Sequence, residues 1–592
     1  MNRRAGALYV SVAIVATLLG LVVLGLVGNM STVPVTYSAD GILHSVLAKG
    51  IVDHGQFYVN PNLGAPGVFE FYDFPAADGI FVLEFWLLSL FTNNYVLVLN
   101  LFALLSYPLI ALSATWAIRR LGFSRASSFV FGLLYALLPY HQSRISFHLY
   151  LAAYFAVPLA VALVAEVGFG AGQAESLEGW WNRRLLGVPV WGWIAAVIVG
   201  TSGVYYAFFC FVLMLLAGLL RAFANGGLRG LYPAFVVCAA IVAVLAMQYV
   251  PSFIYWQRAG HNSIAQQRVP SDSDLYALRM TELVFPMTNH RLAAFASIKS
   301  LYLSSLAGIT EKYRGIADDS SLGLVGVMGF FVLLFWAVAS PLRGPPHVPD
   351  GVPSKLAIMA LGSFLLATVG GVGEIIAYLG FPQIRAYERI TVYLGFLSLC
   401  AAAWVADTLA RRIASSGLGS AGVRRGIVVA CFAAVLLLGF LDQTSPAMVP
   451  DYAKNRAVFE SDRVFVERIE SVVPNESSIF QLPYVQFPEG APVGRTGGYD
   501  ELRMYLHSEN LRWSAGAFMG RADAQWQAQI SKAPVAAMTT ALQARSFAGI
   551  AVDRWGYDDG GKVTEASIAA SVGGSAPIVS PDGRYAFYQF IR

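Results

Sequence analysis

Residues 36–79 read TYSADGILHSVLAKGIVDHGQFYVNPNLGAPGVFEFYDFPAADG, and they separate a first apolar segment at 7–27 from a second apolar run, GIFVLEFWLLSLF, at 79–91. Between Ser31 and Asn94 the chain carries Asp40, Asp53, Glu70, Asp73, Asp78 and Glu84 against a single lysine, Lys49. A long acidic loop between apolar segments is unusual. Carboxylates set against a bilayer lose part of their hydration, which raises their pKa toward the range where they exchange protons. Asp40 precedes GILHSVLAKGI and Asp78 precedes GIFVLEFWLLSLF, so both are also good helix N-cap residues.

Outward from this loop, the composition is that of a polytopic membrane protein. The chain has 592 residues, of which 56% are hydrophobic and 13% charged, and its mean hydropathy is +0.58. No soluble domain of this size exposes so much apolar surface. The first segment follows Arg3 and Arg4 and exceeds the core of a signal peptide, so it reads as a retained span. All four cysteines lie in apolar segments, with neither a disulfide framework nor ligand spacing. Phosphate-binding glycine patterns are absent, and Gly-rich pieces such as GLVGVMGF lie within spans. Neither nucleotide-driven transport nor nucleic-acid binding is expected.

Runs able to cross about 30 Å of hydrocarbon fall near 7–27, 95–118, 127–140, 148–168, 187–201, 203–221, 231–250, 321–340, 355–380, 391–409 and 426–443, eleven in all. The positive-inside rule decides the status of 79–92: counted as a span, it puts Arg119, Arg120 and Arg125 outside. Laid on the surface, it lets those arginines, with Arg183, Arg184, Arg221, Arg229, Arg343, Lys355, Arg411, Arg412, Arg424 and Arg425, face the cytoplasm. Four outward segments follow: the loop 28–94, the turn 140–148, the loop 251–320 and the turn FPQIRAYERI at 381–390. The last span then delivers residues 447–592 outward. That tail is polar and reads as a small α/β domain, with helices at 455–472 and 535–547, strands at 478–483 and 549–553, and a final hairpin turning at Pro581-Asp582-Gly583. The expected domains are thus a membrane module, 1–446, and an extracytoplasmic α/β domain, 447–592.

This order of parts resembles the GT-C superfamily of membrane glycosyltransferases, which use polyprenyl-phosphate-linked sugars. One span leads to a long acidic outward loop with a surface helix; further spans, a second long outward loop and a soluble tail follow. The resemblance covers 7–340 as architecture. It implies an acidic base in the first outward loop, and Asp40 in Tyr37-Ser38-Ala39-Asp40 is the matching position. A second carboxylate of the same loop is implied at Glu70 or Asp73, in Phe69-Glu70-Phe71-Tyr72-Asp73. The chain lacks the Asp-Glu dipeptide of protein mannosyltransferases and the WWD motif of oligosaccharyltransferases, which turns the reading toward lipid or polysaccharide acceptors.

Transfer from a lipid phosphate also needs cations for the leaving group. Arg385 and Arg389 flank Tyr387 and Glu388 at the outer membrane face, Arg144 lies between His141 and His148 at similar depth, and Arg291 lies in LVFPMTNHRL of the second loop. Their guanidinium forks suit a phosphate, although the same residues also serve as partners of Glu388 and Glu282 or of lipid headgroups. His54, His141, His148, Tyr206, Tyr387 and Glu388 are the candidates for hydrogen bonds to substrate. The three histidines are of a type that binds zinc or manganese, but their spacing is not a ligand motif. No metal or other cofactor is therefore assigned.

The expectation is an inverting, multi-pass glycosyltransferase of a bacterial inner membrane, with its N-terminus in the cytoplasm. Its partners are a polyprenyl-phosphate sugar, a lipid or cell-surface glycan acceptor, and membrane lipids; no oligomeric state follows. The alternatives are a flippase for a lipid-linked sugar, or transfer of an acyl or phosphoglycerol group to a glycan. A flippase needs ionisable residues along the bilayer middle, whereas here they gather at the outer face.

Overall fold

The computed structural model describes residues 3–74, 77–170, 180–225, 227–265, 267–307, 320–339, 351–574 and 576–590. Arg343, read above as cytoplasmic, and part of the second loop lie outside them. Among the described residues, six helices are long and apolar enough to cross a membrane: Gly6–Leu24, Tyr95–Arg120, Val204–Ala224, Leu228–Gln248, Tyr387–Ser415 and Ala421–Gln443. Shorter apolar helices, Ala156–Gly168, Val190–Thr201, Gly323–Ala339 and Val352–Ala367, occupy other segments read as spans. The stretch read as spans at 127–140 and 148–168 is broken into Arg125–Ala136, Pro139–Phe147, Leu149–Ala152 and Ala156–Leu163, followed by a π turn, Val164–Gly168. Helix Gly79–Ser89 is about 16 Å long at 1.5 Å per residue, too short to cross. It leaves Leu83, Trp86 and Leu87 exposed.

The bundle packs tightly where small residues allow. A Cβ on Gly329 would stand 1.9 Å from the carbonyl oxygen of Ser398, so helix Gly323–Ala339 meets helix Thr391–Ser415 backbone to backbone. Helix Tyr95–Arg120 is capped by Asn94, whose side chain accepts from the Val96 and Leu97 amides. At its far end Arg120 pairs with Glu166 at 2.8 Å, and Arg184 joins the same carboxylate at 3.5 Å. These two ends are about 39 Å apart, which separates the arginine-rich end of the bundle from the acidic loop.

In the C-terminal region, helix Tyr452–Glu470 leads into a five-stranded sheet. The short ladders of the first half are β1 (Val59–Asn60) with β2 (Phe69–Glu70), and β3 (Arg184–Leu185) with β4 (Val188–Pro189). The large sheet has order β6-β5-β7-β9-β8, where β5 is Ser478–Leu482, β6 Arg512–Trp513, β7 Phe547–Asp553, β8 Ile578–Val579 and β9 Tyr585–Gln589. β5 runs parallel to β6 and β7, and β9 antiparallel to β7 and β8. Every residue of β5 and β7 is buried, as expected of strands covered on both faces. Phe480, Ile550 and Val552 form one core with Met538, Leu542 and Ile568 of helices Val535–Ala544 and Lys562–Ser571. The predicted hairpin is present: Gly583 has φ +74 and its amide donates to the Ser580 carbonyl at 2.8 Å.

The acidic loop is folded onto this sheet. Leu63 bridges in parallel to Trp513 at the β6 edge. The Trp513 amide donates to Asn62 O at 2.8 Å and the Ala65 amide to Trp513 O at 3.0 Å. Arg512 spans the carbonyls of Pro61, Pro66 and Gly67, and Gln527 donates to Ala65 O at 2.7 Å. Gly64 turns the chain here at φ +81, where a Cβ would meet the Val68 carbonyl carbon at 2.7 Å. Only glycine fits. From the membrane side, buried Asn100 pins the approach to the loop: its Oδ1 accepts from the Val35 amide at 2.7 Å and its Nδ2 donates to the Met30 and Val33 carbonyls.

Candidate functional site

Between the acidic loop, the turn after Tyr140, the second loop and the 381–390 turn lies a cavity of about 780 Å³, reached from the C-terminal region by Glu489 and Tyr499. Asp40 opens helix Asp40–His54 after Ala39, which has a left-handed φ of +47 and makes no side-chain cap. Asp78 stands before helix Gly79–Ser89 and makes no side-chain cap bond either. Gln248 takes the capping role instead, accepting from the Gly79 amide at 2.9 Å while donating to Gly200 O at 2.7 Å. Both carboxylates line the cavity, and among the described residues neither has a hydrogen-bond or ion-pair partner. Burial pushes Asp40 up to about 6, against the pull of Arg389, Arg144 and Arg385 and with a push from Glu489. Burial raises Asp78 to about 7, opposed by Arg389. The desolvation penalty on the charged form outweighs the attraction of the cations.

Four arginines face these carboxylates. Arg144 and Arg389 share Glu388, at 3.5 and 3.8 Å, and the Arg389 guanidinium lies 4.2 Å from the centre of the Tyr205 ring. Arg268 pairs with Glu489 at 2.7 Å, and Arg385 reaches Glu489 at 3.4 Å and Asp272 at 3.8 Å. His44 and His148 line the same cavity, their rings 5.1 Å apart. Burial pushes His44 down to about 4 and His148 well below its ordinary value. Both rings are therefore neutral at pH 7, able to donate or accept one hydrogen bond at each nitrogen. The arrangement offers a proton acceptor, a second carboxyl poised near neutrality, and a cationic wall.

No protein-family model and no curated protein matches the chain. Among solved structures, it superposes on ArnT from Cupriavidus metallidurans bound to undecaprenyl phosphate, with a TM-score of 0.50 and 13% identity, over 99% of this chain and 98% of that one. The chain has the GT-C fold. Two structures of the Archaeoglobus fulgidus oligosaccharyltransferase also align. AglB in complex with an inhibitory peptide and a dolichol-phosphate has a TM-score of 0.45 and 11% identity, over 98% of this chain and 74% of that one. The enzyme tethered with an acceptor peptide has a TM-score of 0.44 and 13% identity over the same shares.

Within the GT-C fold, the sequence-predicted residues divide. Asp40, Asp73, Arg144, His148, Tyr206, Arg385, Glu388 and Arg389 come together around the cavity. Asp73 arrives there saturated. Arg521 grips it at 2.7 and 2.8 Å, Trp256 Nε1 donates at 2.8 Å and Asn262 at 2.9 Å. Burial alone would raise this carboxyl, but those hydrogen bonds hold it below its ordinary value. Tyr206 spends its hydroxyl hydrogen on Leu151 O at 2.6 Å.

The others lie off the cavity lining. Glu70 accepts from the Tyr255 hydroxyl at 2.8 Å. His141 is fully buried, one nitrogen 2.8 Å from Ser106 Oγ and the other 2.7 Å from Ala136 O, with its ring against Tyr107: it is a packed core histidine. His54 ends its helix exposed. Arg291 donates to Thr444 O at 2.8 Å. Tyr387 is buried where a Cβ on Gly373 would stand 2.4 Å from its ring. In the sequence Asp78 was legible as one of the loop carboxylates and as a helix cap, Arg268 as one of the second-loop arginines suited to a phosphate, and His44 only as a residue of the helix that Asp40 opens, while Glu489 carried no signal. Among the described residues, no group of three or more His, Cys, Asp or Glu is placed to hold a metal ion.

Proposed function

We propose that this chain is a membrane glycosyltransferase that moves a sugar from a polyprenyl-phosphate donor to a lipid-linked or cell-surface glycan. The observation that carries the reading is the pair of unpartnered carboxylates, Asp40 and Asp78, facing Arg144, Arg268, Arg385 and Arg389 across one cavity. Asp40 is the base: ionised above pH 6, it takes the proton from the acceptor hydroxyl as that oxygen attacks the anomeric carbon. The bond from that carbon to the phosphate oxygen breaks, and the electron pair leaves with the polyprenyl phosphate. Arg144 and Arg389 neutralise the charge that develops there. Direct displacement inverts the anomeric centre. Asp78, rather than Glu70 or Asp73, is the second carboxyl, and together with neutral His44 and His148 it binds sugar hydroxyls. That ArnT is bound to undecaprenyl phosphate supports a lipid phosphate as ligand.

We read residues 1–446 as the membrane module and 447–592 as an extracytoplasmic domain, in a bacterial inner membrane with the N-terminus inside. The Arg120–Glu166–Arg184 cluster, far from the cavity, supports that orientation. Ionisable groups gather at the ends of the long apolar helices rather than along their middles, which favours chemistry over passage.

The test is transfer of label from a panel of radiolabelled polyprenyl-phosphate sugars to membrane lipid extract by purified protein. Native protein is expected to form product and folded Asp40→Asn to form it at least about a hundredfold more slowly. Failure of native protein with every donor, or equal product from both, refutes the reading.

A further inference from the structure

The carboxylate on Arg268 and Arg385 comes from the far end of the chain. Glu489 sits on a turn anchored by Phe487, whose ring packs 5.4 Å from Phe69 and 5.7 Å from Phe518 and whose carbonyl accepts from the Met519 amide at 2.7 Å. Beyond that anchor the backbone is forced. Glu489 has φ +56, a left-handed conformation that a residue with a side chain holds only when contacts keep it there. A Cβ on Gly490 would stand 2.1 Å from Gln486 O. The contact in question is ionic: Oε2 lies 2.7 Å from Arg268 Nη1 and Oε1 3.0 Å from its Nη2, with Arg385 Nη2 at 3.4 Å. Two guanidinium groups converging on one carboxylate form the arrangement that also receives a phosphate.

We propose that Glu489 is a displaceable stand-in for phosphate: its carboxylate and the anionic head of the lipid compete for Arg268 and Arg385, and the 488–490 segment beyond the Phe487 anchor lifts away when the lipid binds. The proposal rests on the reading of the cavity as a phosphate-lipid site. The two arginine pairs differ in a way that singles out this one. Glu388, shared by Arg144 and Arg389, is 3% exposed and fixed at the head of a long helix, whereas Glu489 is 34% exposed on a surface turn. The pair is bidentate rather than weak, and release of the left-handed backbone at Glu489 lowers the cost of opening it. A phosphomonoester carries close to two negative charges at pH 7 against one on the carboxylate. The cleaved carrier lipid therefore displaces Glu489 more effectively than a sugar phosphodiester, which carries one.

The test uses full-length protein in nanodiscs titrated with undecaprenyl phosphate, comparing native protein with Glu489→Gln. Removing the competitor is expected to tighten binding about three- to tenfold. In native protein, amide hydrogen exchange over 485–490 is expected to rise on lipid addition. Unchanged or weaker affinity in a folded Glu489→Gln, or exchange that stays level or falls in native protein, overturns the latch while leaving the phosphate-lipid reading intact. If the variant does not fold, the exchange of native protein decides alone. Absence of lipid binding by native protein and variant alike removes the phosphate-lipid reading, and the latch with it.

Discussion

If Asp40 is the base, the rate must follow its ionisation. With the carboxyl at about 6, about 91% is ionised at pH 7 and about 9% at pH 5, so kcat/KM falls about tenfold between them, with the midpoint near pH 6. The sign is that of a required base: activity is lost as pH falls through the folded value. Arg389 is the strongest of the charges holding Asp40 down. Arg389→Gln removes that pull, so the acid limb moves to higher pH; one pH unit corresponds to 1.36 kcal/mol of lost attraction, about the scale of a partly screened charge near a buried carboxylate. Asp40→Asn should cost about 10²- to 10⁴-fold in kcat and abolish the limb. The assay is initial-rate transfer from pH 4.5 to 8.5 with protein in detergent or nanodiscs, and melting curves confirm folding at each pH. A limb in Arg389→Gln that stays in place or moves to lower pH refutes the electrostatics, and a limb that persists in Asp40→Asn refutes the base.

Arg521→Ala should leave Asp73, whose side chain is 2% exposed, with two donors in place of four, a loss of about 2 kcal/mol after allowance for the partial, 19% exposure of the arginine, read as a lower melting temperature. Gly64→Ala forces a Cβ against Val68 at φ +81 and is expected to cost about 1–3 kcal/mol and to raise proteolysis of the acidic loop, whereas an unchanged melt would refute the glycine requirement. Burial raises Asp462 from an ordinary 3.8 to about 7, so the folded state binds the proton more tightly than the unfolded chain and this group's contribution to stability falls as pH rises from 4 to 7. Asp462→Asn should therefore gain in melting temperature relative to native protein between pH 5 and pH 8, and a gain independent of pH would contradict the burial argument. Asp78→Asn, which keeps the shape of the side chain, should raise KM for the donor more than it lowers kcat if Asp78 holds sugar hydroxyls.

Much of the architecture follows from local patterns. Apolar runs long enough to cross a bilayer, short mostly apolar runs around 478–482 and 547–553, and a Pro-Asp-Gly turn at 581–583 each act through near neighbours. They identified a polytopic chain with an α/β tail and placed its acidic loop beside the membrane. The resemblance to the GT-C superfamily pointed to Asp40, Asp73 and Glu70 alike, and residue type could not separate them, because a carboxylate's chemistry depends on its partners. Those partners are remote: Arg521 is 448 residues from Asp73 and Tyr255 is 185 from Glu70. Gln248, which frees Asp78 from its helix, is 169 residues from Gly79, and Glu489 reaches Arg268 across 221. Residue type, hydropathy and sequence spacing therefore supplied the membrane architecture and the candidate groups, while only the tertiary fold decided which carboxylates are saturated and which stand free, since hydrogen-bond partners and dehydration are set by contacts between distant segments.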